Sequence, residues 1–263
     1  MAQRLGDQRR WGELATLQAQ VLYHQGEFER LAAGEAEMHA RISHADDPQQ
    51  KAHVLLGEVW FLMPQGQLDT VVTRLEEVLR LLAGRGSRAD EILAHGQLAV
   101  AYLRRGDREL ARVAARQAAS LTAQSLPVAV HILEGYAGVA EVYMDLWVAG
   151  DRAAARPARQ ARATLGRFAR AFPMARPRAW LYEGRAAHHL GRQRHALAVW
   201  HKSLRMAERL VMPYEQGRAH YELGRHLPPG RPARQAHLTR AGEIFADIGA
   251  LYELDHVRTA TSR

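Results

Sequence analysis

The chain has 263 residues, 47% of them hydrophobic and 7% aromatic, which is too apolar for a disordered tail. It has no cysteine and no apolar run near the roughly 20 residues that cross a bilayer, which excludes a disulfide framework, a thiolate metal site and a membrane-spanning helix. Its net charge of +8 is a split, with 15 Lys+Arg against 19 Asp+Glu in residues 1–150 (−4) and 21 against 9 in residues 151–263 (+12).

Leu and Ala dominate and nothing alternates like a strand, so the chain is expected to be all-α. A glycine past a helix end lets the chain reverse, and Gly26, Gly66, Gly106, Gly150, Gly191 and Gly224 follow apolar-periodic segments at intervals of 40, 40, 44, 41 and 33. These mark six antiparallel helix pairs. In the first two pairs, Val21, Leu22, Phe28 and Leu31, then Val59, Leu62, Val71, Leu75 and Val78, form the apolar faces. Residues 45–48 and 82–87 are the loops that follow them.

The third pair places Leu98, Ala99 and Tyr102 before Gly106, and Ala111, Ala115 and Ala118 after it, so that small residues let the two helices approach closely. The fourth opens at Pro127, and its first helix is expected over 128–148. Two prolines, Pro173 and Pro177, then forbid a continuous helix and mark a hinge near 173–177. In the fifth pair Trp180 and Gly184 precede the turn, and Ala196 and Trp200 follow it. Both tryptophans are expected in the core.

The segment 183–192 is repeated at 216–225, with Gly184 and Gly191 matched by Gly217 and Gly224, and Arg185 by Arg218. A matching displacement over ten positions is an internal repeat. The last pair has a lengthened turn at 227–232, a final helix over 233–248, a stop at Gly249 and a short cap over 251–258.

Trp180, Gly184, Ala196 and Trp200 resemble the tetratricopeptide repeat pattern, W-x2-L-G-x2-Y followed by A-x3-F, although Glu183 and Ala187 replace its Leu and Tyr. The resemblance implies a right-handed tetratricopeptide-like superhelix, an α-solenoid in a single domain over 1–263. The segments 133–143, 212–227 and 237–250 also resemble the C-terminal helical region of bacterial adenylate/guanylate cyclase-like and AAA-type ATPase signalling proteins, most strongly over roughly 128–255. That resemblance implies a tail without its catalytic modules.

A P-loop needs G-x4-G-K-[ST], and neither Lys51, preceded by Gln49 and Gln50, nor Lys202, preceded by Val199, Trp200 and His201, satisfies it. A cyclase site needs aspartates on a sheet, and no strand is expected. His188, His189, His195, His220 and His226 lack the i, i+4 pair with an intervening acid that a helical zinc site uses. No catalytic residue, cofactor or metal is therefore expected.

The leading expectation is a non-catalytic scaffold for protein–protein or interdomain contacts in bacterial signal transduction, partnered by another protein, the missing catalytic modules or a second copy of itself. The alternative is a repeat module that senses a small molecule and regulates a partner ATPase or transcription factor. An enclosed pocket would favour sensing, whereas an open polar groove would favour the scaffold. Too few residues follow Gly249 for a helix-turn-helix, which argues against nucleic acid. No membrane contact is expected, and the cytoplasm is the expected location.

Between Arg152 and Arg178 lie eight arginines and no acidic residue. On a helix starting near Pro157, Arg159, Arg167 and Arg170 fall opposite Ala161, Leu165, Phe168 and Phe172. The geometry predicts a buried apolar stripe and an exposed basic one, and Arg159, Arg167 and Arg170 are the candidate docking face for an acidic partner.

Overall fold

A glycine that takes a left-handed conformation ends each of the first five pair-forming helices, at φ +70° for Gly26, +73° for Gly66, +98° for Gly106, +99° for Gly150 and +75° for Gly191. The computed structural model describes residues 17–42, 47–84, 87–127 and 129–262. The chain runs through α1 (17–24), α2 (Phe28–Ile42), α3 (Pro48–Leu62), α4 (Leu68–Leu82), α5 (Arg88–Arg105), α6 (Arg108–Ala123), α7 (Leu133–Val148), α8 (Ala155–Ala171), α9 (Arg176–His189), α10 (Gln193–Arg209), α11 (Pro213–His226), α12 (Pro232–Asp247) and α13 (Leu251–Thr261). Among the described residues there is no strand, and no helix is long and apolar enough to cross a membrane. Among the described residues, six antiparallel helix pairs and a closing helix make an all-α solenoid.

Caps fix several entries. The Asp47 side chain accepts from the amide of Gln49 at 2.9 Å ahead of Pro48, Ser87 accepts from Asp90 at 3.2 Å, and Asp151 accepts from Ala153 at 2.9 Å. The turn into α11 has no glycine: Val211 takes φ +52°, an unfavourable setting for a β-branched residue.

Small residues govern the closest approaches. Ala99, Ala111, Ala115 and Ala118 are fully buried between α5 and α6, as their spacing predicts. Between α5 and α7 the backbones themselves touch: a Cβ on Gly96 would lie 2.4 Å from the Gly135 carbonyl oxygen, one on Gly135 2.5 Å from that of Ile92, and one on Gly138 2.3 Å from that of Gly96. α7 is consequently buried around most of its circumference and sits at the centre of the array. In the repeated segments, Gly184 makes room for Trp200 and Gly217 for Phe245.

Several expectations need correction. Gly224 is not a turn glycine: it lies inside α11, where a Cβ would meet Leu238 at 2.7 Å. α11 runs one turn further than α9 does in the aligned register, because Pro228 and Pro229 are the first residues to stop it, and Gly230 takes the positive φ of +78° instead. The first helix of the fourth pair begins at Leu133, after a 3-10 turn at Val130–Ile132, and residue 128 lies outside the described residues. Val21 is 53% exposed and belongs to no core face. Trp200 is fully buried and its indole N–H donates to the Leu181 carbonyl at 3.1 Å, but Trp180 is only half-buried. Residues 45, 46, 85 and 86 of the expected loops lie outside the described residues. Near 173–177 a 3-10 turn, Pro173–Ala175, separates α8 from α9, and Ala175 is buried.

The two ends of the array meet. The Tyr252 amide donates to the Pro64 carbonyl at 3.0 Å, and the Gln65 side chain donates to the Gly249 carbonyl at 2.7 Å. Tyr23 of α1 and Phe28 of α2 pack on Tyr214 of α11, with ring centroids 5.5 and 6.2 Å apart. The first two pairs thus lie against the last pair and α13.

Candidate functional site

Residues seven apart on a helix are two turns apart on one face, and α7, α9 and α11 use this spacing to turn charge inward: Glu134 and Glu141, Arg178 and Arg185, Glu215 and Glu222. Arg178, only 2% exposed, donates through Nε to both Glu215 oxygens at 2.9 and 3.0 Å, and through Nη1 and Nη2 to Glu134 at 2.9 and 3.3 Å. Arg185 pairs with Asp145 and approaches Glu222 at 3.6 Å. Glu141 accepts from Arg218 at 3.0 Å, from Arg104 at 3.4 Å and from the Tyr182 hydroxyl. Arg104 also reaches Glu253 of α13 at 3.1 Å and lies over the Tyr252 ring at 4.4 Å.

Electrostatics follow from this geometry. Burial alone would raise the Glu141 carboxyl, but the Arg218 and Arg104 guanidiniums outweigh it and hold it well below the usual carboxylate range. Glu222 is burdened by burial in the same way and is held low by Arg225, His226 and Arg185. Burial, with Glu253 adding to it, pushes the Tyr214 hydroxyl far up. Where the concave side of an open solenoid would offer a groove, Arg104, Glu134, Glu141, Arg178 and Arg218 with Tyr23, Trp60 and Tyr214 line an interior cavity of about 30 Å³, room for a few waters at most.

Larger recesses lie between alternate helices. The first, about 510 Å³, lies between α2 and α4 over α3 and is lined by Glu35, Glu58, Phe61 and Arg74 among others. Arg74 meets Glu58 at 2.8 Å. Glu35 is 5% exposed with an Oε2 that has no hydrogen-bond partner, and burial, reinforced by the Glu58 charge, pushes its carboxyl up to about 8.

The second recess, about 620 Å³, lies between α6 and α8 over α7. Its floor is Val139 and Tyr143, and its walls include Arg116, Ala119 and Ala123 on one side and Ala161, Thr164 and Arg167 on the other. Burial pushes the Tyr143 hydroxyl up and the nearby Arg116 and Arg112 guanidiniums partly offset it, while Arg167 donates to Thr164 at 3.1 Å.

All three candidate docking arginines, Arg159, Arg167 and Arg170, are exposed on α8, with Ala161, Leu165 and Phe168 buried on its other side and Phe172 half-buried. None of the three has a carboxylate within ion-pair distance among the described residues. Two others of that stretch are paired: Arg162 with Glu183, and Arg178 as the buried centre of the interior ladder.

The histidines form no common centre. His188 and His226 stack at 3.8 Å between ring centroids, with His226 also flat on Trp200, whereas His189 packs on Trp147 and His195 faces Glu183 at 3.7 Å. His220 meets His237 through Nδ1 at 2.8 Å, and burial pushes His220 down to about 4. Among the described residues no group of three or more His, Asp or Glu has metal-holding geometry.

No family model matches the chain, and no curated protein matches it. Among solved structures it is similar to a putative kinesin light chain from Podosopora anserina, a variant with nearly identical TPR-like repeats. The two are 17% identical, the match covers 83% of this chain and 98% of that one, and the TM-score is 0.46.

Proposed function

We propose that this chain is a non-catalytic helical-repeat scaffold that docks an acidic protein surface on the outside of its array. The observation that carries the reading is a contrast between two sets of arginines. Arg104, Arg178, Arg185 and Arg218 are buried against carboxylates, while Arg159, Arg167 and Arg170 stand exposed with no counter-ion among the described residues. Arginine suits such docking because its planar fork holds a carboxylate in two bonds. With the interior filled by the protein's own side chains, the outer face is where a partner can be received.

The setting we propose is bacterial signal transduction, with the chain acting like the tail of a cyclase/ATPase-type regulator, and the partner being a catalytic module of that kind or a second copy of the chain. Support for that setting is the residue resemblance over 128–255 alone. Reversing Arg159, Arg167 and Arg170 to Glu should leave the helical circular dichroism intact and abolish association, and wild-type association should weaken with salt as exposed charge pairs are screened. Sedimentation of the triple variant with partner at low ionic strength tests this. Binding equal to wild type would reduce the stripe to a solvated surface.

A further inference from the structure

We infer that the docked segment is an acidic peptide lying along the recess between α6 and α8, with carboxylates held by Arg116 from one wall and Arg167 from the other. The inference rests on the docking reading above and locates it.

Both arginines face the same space of about 620 Å³, and among the described residues no carboxylate lines it. Neither has a carboxylate within ion-pair distance among the described residues, and Arg167 reaches only the neutral hydroxyl of Thr164 at 3.1 Å. One turn before Arg116 on the same helix, Arg112 is closed off by Asp151, so the wall supplies counter-ions where it needs them and withholds one at Arg116. Small side chains, Ala119, Ala123, Ala161 and Ala163, leave the recess wide enough for a chain rather than a side chain alone.

Length argues for a polypeptide over a small anion. Arg159 and Arg170 extend the charge along the rim of α8, and eleven residues at 1.5 Å each make about 16 Å, longer than a dicarboxylate. The flanks argue for a polypeptide over a nucleic acid. Glu109, Asp151 and Glu183 neutralise Arg112 and Arg162 on the flanks of the patch, so the free positive charge is confined to a short stretch and does not run on as a phosphate backbone would need.

The test is fluorescence anisotropy of a labelled twelve-residue peptide of alternating Glu and Ala, titrated with the full chain at low salt. Three exposed pairs are compared: R116Q/R167Q in the recess, R159Q/R170Q on its rim, and R205Q/R209Q on α10, which removes the same charge from another face. The recess pair should weaken binding about tenfold or more, the equivalent of losing one good charge-assisted contact, while the α10 pair stays within about twofold of wild type. Millimolar succinate or phosphate should compete poorly, and a single-stranded DNA of matched length should bind less tightly than the peptide.

Loss confined to the rim pair would overturn the recess and leave docking on α8 standing. Equal loss from all three pairs, or from none, would overturn both, as would the absence of binding to the wild type. Full displacement by succinate or phosphate, or tighter binding of the DNA, would overturn the peptide as occupant.

Discussion

Among the described residues, no cation is paired with the Glu35 carboxyl. Its Oε2 lies where a Cβ on Gly57 would be, 2.2 Å away, and the only cation lining its recess among the described residues, Arg74, is engaged with Glu58. With its carboxyl pushed up to about 8, Glu35 stays protonated in the folded chain at neutral pH, while in the unfolded chain it ionises near its ordinary value of about 4.3. The folded state therefore binds the extra proton between those two values. This group's contribution is fully present below about pH 4 and is lost as pH rises toward about 8. Glu35→Gln keeps the shape and removes the titration. It should melt at least about 2 °C above wild type at pH 8.5, a shift that about 1 kcal/mol produces in a chain of this size, and should converge with it near pH 4. Thermal unfolding across that range checks the sign, and a wild type that melts higher at both ends would show that Glu35 is charged and satisfied.

Helix pairs are set by where backbones are allowed to touch. Gly135→Ala would bring a Cβ to 2.5 Å from the Ile92 carbonyl oxygen, and a backbone atom cannot swing aside as a side chain can, so α5 and α7 must separate. Overpacking of this kind costs roughly 1 to 3 kcal/mol. Gly166→Ala on α8, where a Cβ meets nothing within 4 Å, should instead stabilise by about 0.5 to 1 kcal/mol through helix propensity. Denaturant midpoints that move in the same direction for the two variants would contradict this account of the crossing. The same crossing shows what a sequence conveys at this scale. The pairs were legible because turn glycines recur, and the two faces of α8 because Leu165 and Phe168 stand opposite Arg159 and Arg167 at helical spacing. Gly224 misled because its register matches Gly191 while the helix around it runs on to Pro228. The spacing of Glu134 and Glu141, Arg178 and Arg185, Glu215 and Glu222 was present too. Its meaning depends on α7, α9 and α11 being neighbours on the inner side, which only the packed array settles. The recess between α6 and α8 had no sequence signal, since it arises from the separation of two helices that are not consecutive.

An open solenoid is held together by nearest neighbours, so a change at one end is felt by one or two pairs. Here Tyr252 bonds to Pro64, Gln65 bonds to Gly249 and Arg104 reaches Glu253, so the last helix also belongs to the first half of the chain. Removing residues 251–262 should therefore raise hydrogen exchange not only in α11 and α12 but also in α3 and α5. Exchange by mass spectrometry that rises only in α11 and α12 would mean that the end contacts contribute no stability. Such closure also bears on how a protein of this kind can change over generations. Repeat arrays ordinarily grow or shrink by duplicating or deleting a unit, and each step leaves the remaining interfaces as they were. An extra pair inserted anywhere between Pro64 and Tyr252 would carry those two residues apart by about one helix-packing distance, roughly 10 Å, and would break every contact that joins the ends. The six pairs of the described residues are thus held to their number by the contacts between the first and last of them. A descendant with seven would have to abandon the interior ladder's outlet to α13 and become an open spiral, with a bare concave face and a different way of meeting partners.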